Sequence, residues 1–350
     1  MPVPLDIPSL ALGSRVQEAV LVLDTTSHTT DDGQPFTILT LGNSTGEIAT
    51  APFWPEQQEQ VAGLRRGHVV QVIGDVVPYR ERKQLKVVSL RLLPEGAVDP
   101  HSLLPSVGSV DRYWDTLNQW RGQITKPRLA RVVELCFGDD EFCARYAECP
   151  ASVRGHHAQL GGLLKHTVEV AAIGRTIGRA CGADLDLVVA GALLHDIGKL
   201  ESYTWRGAFE YTEAGSLVGH VVLGALLLDR RIRAEREAPC TDAERDLLLH
   251  LILSHHGRLE LGSPIRPMTL EAEVLHWADN ASAKTASLAQ ALREARHVAA
   301  GPVSAPVPGL ERRRLHLGGS TWGRDHPASP HPGAPSPGPP GGELGAGESD

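Results

Sequence analysis

His166, His195, Asp196, His220, His255, His256 and Asp279 stand where the surrounding sequence calls for apolar packing. His166 interrupts the amphipathic stretch 163–180, and His195-Asp196 closes the apolar run 188–194 before Ile197-Gly198-Lys199. His220 follows Leu217-Val218-Gly219, His255-His256-Gly257 ends the run 247–253, and Asp279 lies in Leu275-His276-Trp277-Ala278-Asp279-Asn280. Burying several imidazoles and carboxylates in apolar helices is costly unless each has a partner. A metal ion is such a partner. Neutral imidazole nitrogens with carboxylate oxygens suit Mn, Fe, Zn or Ni better than calcium. The lack of thiolates among them argues against a structural zinc site.

A single histidine on an apolar helix is more often a satisfied core residue than a ligand. An adjacent His-Asp pair followed by Ile-Gly-Lys is different, because one turn then presents both ligand types. Asp196 can bridge two ions, with His166, His195 and Asp279 on one side and His220 plus His255 or His256 on the other. The spacing does not choose between His255 and His256. Lys199, one turn past Asp196, either points its ammonium at a phosphate or is a solvated cation at a helix end. His157 either approaches the scissile phosphate or leaving oxygen, or caps its helix. Arg154 either grips substrate or is surface charge. His250 and His276 read as structural. Two bound ions would lower the pKa of water and neutralise phosphoryl charge in an in-line displacement.

These residues need helices to position them. Apolar residues recur at helical spacing over 163–180, 185–197, 217–232, 243–253 and 270–292. Thr241 with Glu244 forms a capping box, and Thr269 can cap the last helix. Residues 14–95 read as β instead. Strands are expected over 16–24, 36–41, 47–51, 69–77 and 85–93, with a short helix over 56–64. Gly42-Asn43-Ser44-Thr45-Gly46 marks a hairpin. Three strands, a helix and two strands is the order of a five-stranded OB-type barrel. Helices in 110–150 are expected to connect or brace the two parts. The segment 301–350, dense in Pro, Gly and Ser, reads as a disordered tail.

Composition sets limits. With 350 residues and 41% hydrophobic content, two packed domains are expected. A net charge of −8 argues against coating nucleic acid by bulk positive charge. The five cysteines form no C-x-x-C pair and read as reduced thiols. No stretch approaches the roughly 20 apolar residues of a membrane helix. A cytoplasmic protein with no membrane partner is the expectation.

The order His166, His195-Asp196, Asp279 resembles the HD phosphohydrolase superfamily, whose HDIGK step is matched at 195–199. The stretches around His156-His157, Gly161-Gly162-Leu163-Leu164, Gly219-His220, Ser254-His255-His256-Gly257, Gly262-Ser263-Pro264 and His276–Asn280 resemble more narrowly the YhaM-type 3′→5′ exoribonucleases. That resemblance covers residues 15–296 and implies an all-α HD domain at 151–296 behind the barrel. It implies hydrolysis of single-stranded RNA, with single-stranded DNA as an alternative, to nucleoside 5′-monophosphates. It also implies divalent ions, Mn foremost and Fe, Ni, Co or Mg as alternatives, and allows a homo-oligomer. The barrel would hold the strand through Tyr79, Arg80, Arg82 and Lys83 in the loop between its last strands, aided by Arg154. A small-nucleotide phosphohydrolase and a non-catalytic single-strand binder are the competing readings.

Overall fold

A computed structural model describes residues 5–79, 82–155, 157–296, 301–307 and 310–318. The β region runs β1 (Arg15–Thr29), β2 (Pro35–Asn43), β3 (Gly46–Ala49), a helical turn ending in α1 (Gln58–Val61), β4 (Val69–Tyr79) and β5 (Arg82–Leu92). All ladder pairs are antiparallel, in the order β3-β2-β1-β4-β5. The long β1 serves two neighbours. Its first half, through Leu21, pairs with β4, and from Leu21 onward it pairs with β2, with a bulge between Val22 and Asp24 in that second ladder. A parallel bridge between Thr50 and Leu85 closes the barrel, with the Ala51 N–H donating to the Leu85 carbonyl. This is the OB-type arrangement that the strand order predicts. Val20, Val22, Leu39, Leu41, Val70, Val72 and Leu85 fill its interior.

Three helices follow: α2 (Asp111–Gly122), α3 (Pro127–Phe137) and α4 (Asp140–Glu148). They are more than a connector. Leu117, Val132, Phe137 and Tyr146 share one core with Leu163, Leu193 and Leu251 of the later helices. That core is carried by α5 (Gly162–Cys181), α6 (Leu185–Leu194), α7 (Lys199–Ser202), α8 (Glu213–Leu217), α9 (His220–Ala234), α10 (Asp242–Ser254) and α11 (Leu270–Arg296). The single helix expected over 217–232 is split. Gly219, at φ +81°, breaks it so that α9 starts at His220. A small hairpin, β6 (Tyr203–Thr204) and β7 (Glu210–Tyr211), gave no signal in the sequence. The Thr241–Glu244 capping box is present, and Thr269 accepts from the Ala272 N–H.

Barrel and helices belong to one compact unit ending at Leu317. Arg154 pairs with Asp24 of β1 at 2.9 Å, and Arg66 donates to the Phe209 carbonyl beside the small hairpin at 2.7 Å. Residues 301–318 depart from the expected tail. Val303 pairs with His316 and Val307 with Arg313, and Leu310, Leu315 and Leu317 pack against the end of α11. Their scattered Val and Leu residues were averaged away by the Pro/Gly density of the segment as a whole. Residues 319–350 lie outside the described residues. Among the described residues no helix is long and apolar enough to cross a membrane.

Candidate metal centre

Six helices or their ends converge on Asp196. His166 projects from α5 and Asp279 from α11, while His195 and Asp196 occupy the turn between α6 and α7. His220 opens α9, and His255 with His256 closes α10. Local packing fixes the turn. A Cβ at Gly198 would lie 2.0 Å from the His220 carbonyl oxygen and 2.3 Å from the Gly224 nitrogen. Only glycine lets the His-Asp turn seat against the start of α9. Likewise a Cβ at Gly162 would lie 2.0 Å from the His157 carbonyl oxygen, which explains the Gly-Gly step.

Asp196 divides the centre in two. Its Oδ2 lies 3.1 Å from His195 Nε2 and 3.5 Å from His166 Nε2; its Oδ1 lies 3.4 Å from His220 Nε2 and 3.7 Å from His255 Nε2. Asp279 Oδ1 adds a second carboxylate 3.0 Å from His166 Nε2 and 4.0 Å from His195 Nε2. Two groups therefore have ligand-type spacing: His166, His195 and Asp196, and His220, His255 and His256. The second holds both members of the pair that the sequence left open.

The proton inventory tests whether cations fit. His195, His255 and His256 place Nδ1 2.7–2.8 Å from the carbonyls of Ala192, Ile252 and Leu261. A carbonyl only accepts, so each Nδ1 carries the hydrogen and each Nε2 presents a lone pair to the centre. His166 reaches the same state by a relay. The Ser282 hydroxyl donates to Glu169 Oε2 at 2.9 Å and so accepts from His166 Nδ1 at 3.0 Å. Burial lowers the pKa of His166, of His255 and of His220, the last to about 3. Burial would raise Asp196 and Asp279, but His195 and Lys199 around the first and His166 beside the second hold both below the usual carboxylate range. His195 is the exception among the imidazoles. Burial pulls it down, yet Asp196 and Asp279 raise it overall. Elsewhere lone pairs face lone pairs, and the buried atoms Asp196 Oδ1, His220 Nε2 and His255 Nε2 have no hydrogen-bond partner among the described residues. Orphaned acceptors in a dry core cost on the order of 1–3 kcal/mol each, more when charged. Divalent cations fit this donor set.

Several predicted roles change in the structure. Lys199 does not reach outward; it is 6% exposed and its Nζ closes onto Asp196 Oδ2 at 2.5 Å. The neighbouring carboxylate is the nearest strong acceptor for a cation buried at this turn. His157 sits at φ +52°, and its Nε2 lies 3.0 Å from Glu169 Oε2. Lys83 is engaged within the barrel: its Nζ donates to the Pro8 and Leu10 carbonyls at 2.9 and 2.7 Å. Tyr79 and Arg82 are exposed but lie in paired β4 and β5, not in a loop, and Arg80 lies outside the described residues. Arg154 is engaged with Asp24. His250 accepts from the Met268 N–H, and His276 Nδ1 faces the His255 carbonyl, so both brace the α10–α11 connection.

Sequence reasoning missed Glu169, Ser282 and His28, and it passed over Phe36 and Trp54, candidates for base stacking, in favour of the Tyr79–Lys83 segment. Glu169 lies three residues after His166, hence on its face of the helix, which was the available signal. On the barrel His28 stacks on Phe36 at 5.2 Å, and Phe36 meets Trp54 at 5.3 Å, while Phe53 is core.

Fold and centre together define an HD-domain protein, and residues 163–284 match the family model described as HD domain. Membership brings divalent-metal binding and phosphohydrolase chemistry with it. The chain belongs to the YhaM 3′-5′ exoribonuclease family. It is 33% identical over 310 residues to the 3′-5′ exoribonuclease YhaM of Shouchella clausii, covering 87% of this chain and 94% of the relative. The Bacillus subtilis protein of the same name is 31% identical over 308 residues, covering 87% and 95%. Among solved structures, the second OB-fold domain of replication protein A from Methanococcus maripaludis matches 27% of this chain and 98% of its own at 17% identity and TM-score 0.21. The barrel assignment rests on strand order and closure alone.

Proposed function

We propose that this protein is a metal-dependent 3′→5′ exoribonuclease that shortens single-stranded RNA to nucleoside 5′-monophosphates. One observation carries the proposal: Asp196 turns one carboxylate oxygen to each of two groups of imidazoles, the first buried and the second centred on buried His255. His166, His195, Asp196 and Asp279 would hold one divalent ion, and Asp196, His220, His255 and His256 the other. Mn suits this nitrogen–oxygen set first, with Fe, Ni, Co or Mg as alternatives. Bound there, such ions lower the pKa of water and neutralise charge developing on phosphoryl oxygens.

The chain's own groups do the rest. Water attacks phosphorus, the P–O3′ bond breaks, and O3′ leaves with a proton. Lys199 holds Asp196 ionised and oriented from beneath. His157, fixed by Glu169 and three residues from the Arg154–Asp24 contact, serves the departing O3′. The barrel keeps the strand in place through the His28–Phe36–Trp54 surface, on which bases can stack, with Arg82 near the phosphates.

The test is incubation of Mn-loaded protein with 5′-labelled single-stranded RNA. A ladder receding from the 3′ end and lost in Asp196→Ala is expected. Intact RNA after exposure to metal-loaded, folded protein would overturn the proposal.

A further inference from the structure

We propose that the cavity beyond His256, lined by Gly257, Arg258, Glu260, Leu261 and Arg266, receives the nucleotide about to be released as a nucleoside 5′-monophosphate. The inference rests on the exoribonuclease reading and adds to it a product site and a direction for the strand.

Direction comes from a succession of rings. His157 stands three residues after Arg154, which pairs with Asp24 of β1. From His157 the next ring is His166 at 6.0 Å, then His195 at 5.4 Å, His255 at 5.0 Å and His256 at 4.3 Å. The succession starts three residues from the barrel contact and ends at the wall of the cavity. His256 Nδ1 faces the carbonyl of Leu261, itself a lining residue, at 2.7 Å. The turn is closed at Gly262, whose φ of +93° suits glycine. A strand held on the barrel enters from the His157 end. What projects past the centre is its 3′-terminal unit.

The lining matches that unit's chemistry. The cavity holds about 530 Å³, within the roughly 300–1,000 Å³ of small-molecule sites. Arg258 and Arg266 are exposed, and neither is ion-paired with another described residue. Paired guanidinium groups bind phosphate oxygens by charge-assisted hydrogen bonds. Glu260 can accept from ribose hydroxyls, a role carboxylates play in dinucleotide sites. Leu261, 59% exposed, offers an apolar contact to any base without selecting among them.

The experiment uses full-length, Mn-loaded protein and measures binding of AMP, dAMP and inorganic phosphate by calorimetry, alongside product inhibition of RNA shortening. In Arg258→Ala/Arg266→Ala, AMP binding and its inhibition constant should each weaken at least ~10-fold, the size expected for lost charge-assisted hydrogen bonds. Bound Mn, read by mass spectrometry, should be unchanged. Glu260→Gln should narrow the difference between AMP and dAMP. Unaltered AMP affinity in the double variant, with Mn retained, would overturn the proposal. If wild-type protein leaves RNA intact, the exonuclease reading falls separately, and the AMP titration still decides the cavity. Equal affinity for AMP and phosphate would reduce the site to an anion contact and overturn its nucleotide assignment.

Discussion

In the helical domain His195, Asp196 and His255 are at most 1% exposed, whereas on the barrel Trp54 and Tyr79 are 41% and 51% exposed. The two regions place functional groups under opposite constraints. In the helical centre most lone pairs are withdrawn from water, and His166, His195, His255 and His256 are each held and aimed by a carbonyl or hydroxyl. On the barrel an unused aromatic or cation costs little, because solvent satisfies it. Side-chain identity therefore carries more information about role in the first region than in the second.

The largest expected effect breaks the shared carboxylate. Asp196→Ala should lower RNA hydrolysis by at least ~100-fold, the upper end of what loss of even an outer-shell partner costs at metal sites, as measured by end-labelled RNA kinetics. Next comes the Ser282 relay. Ser282→Ala removes the acceptor that fixes the His166 tautomer and should weaken metal affinity by about 10–100-fold in a calorimetric titration, with Ser282→Thr restoring much of it. On the barrel, Trp54→Ala combined with Phe36→Ala should weaken single-strand RNA binding by about 1–3 kcal/mol per lost stack while bound metal stays constant. Lys83→Ala should leave RNA affinity unchanged and lower the melting temperature instead, because its ammonium ties down residues 8–10.

The smallest effect is a pH dependence. Glu244, bonded first by Arg128 and then by the Thr241 backbone, has its pKa pulled down to about 2. A depressed carboxyl pKa stabilises the fold above the unfolded value and loses that contribution as pH falls through the folded one. The melting temperature should therefore fall between about pH 4.5 and pH 2 less steeply in Glu244→Gln than in wild type.

The same contrast explains what the sequence made legible. His166, His195, Asp196, His220, His255, His256 and Asp279 stood out because imidazoles and carboxylates within apolar periodicity demand a partner, and the structure brings all seven together. The OB strand order was legible from alternation and the Gly42–Gly46 turn. Glu169 was not, since a glutamate on an amphipathic helix looks like a solvated charge until Ser282, 113 residues away, folds beside it. The Lys199–Asp196 ion pair was not legible, because the spacing of the two is the same whether the lysine points out or back. Lys83 read as a strand contact because nothing local announces that Pro8 and Leu10 will present carbonyls to it. His28 and Phe36 meet only when β1 and β2 pair, and Trp54 joins them beside the Thr37–Phe53 bridge.

The account turns on one carboxylate serving two ions, and metal stoichiometry tests it most directly. Mn titrated into the metal-free full-length protein should saturate at about two ions per chain. His256→Ala should weaken only one of them, whereas Asp196→Ala should weaken both. Saturation at a single ion, or an Asp196→Ala protein that still binds both with wild-type affinity, would contradict it.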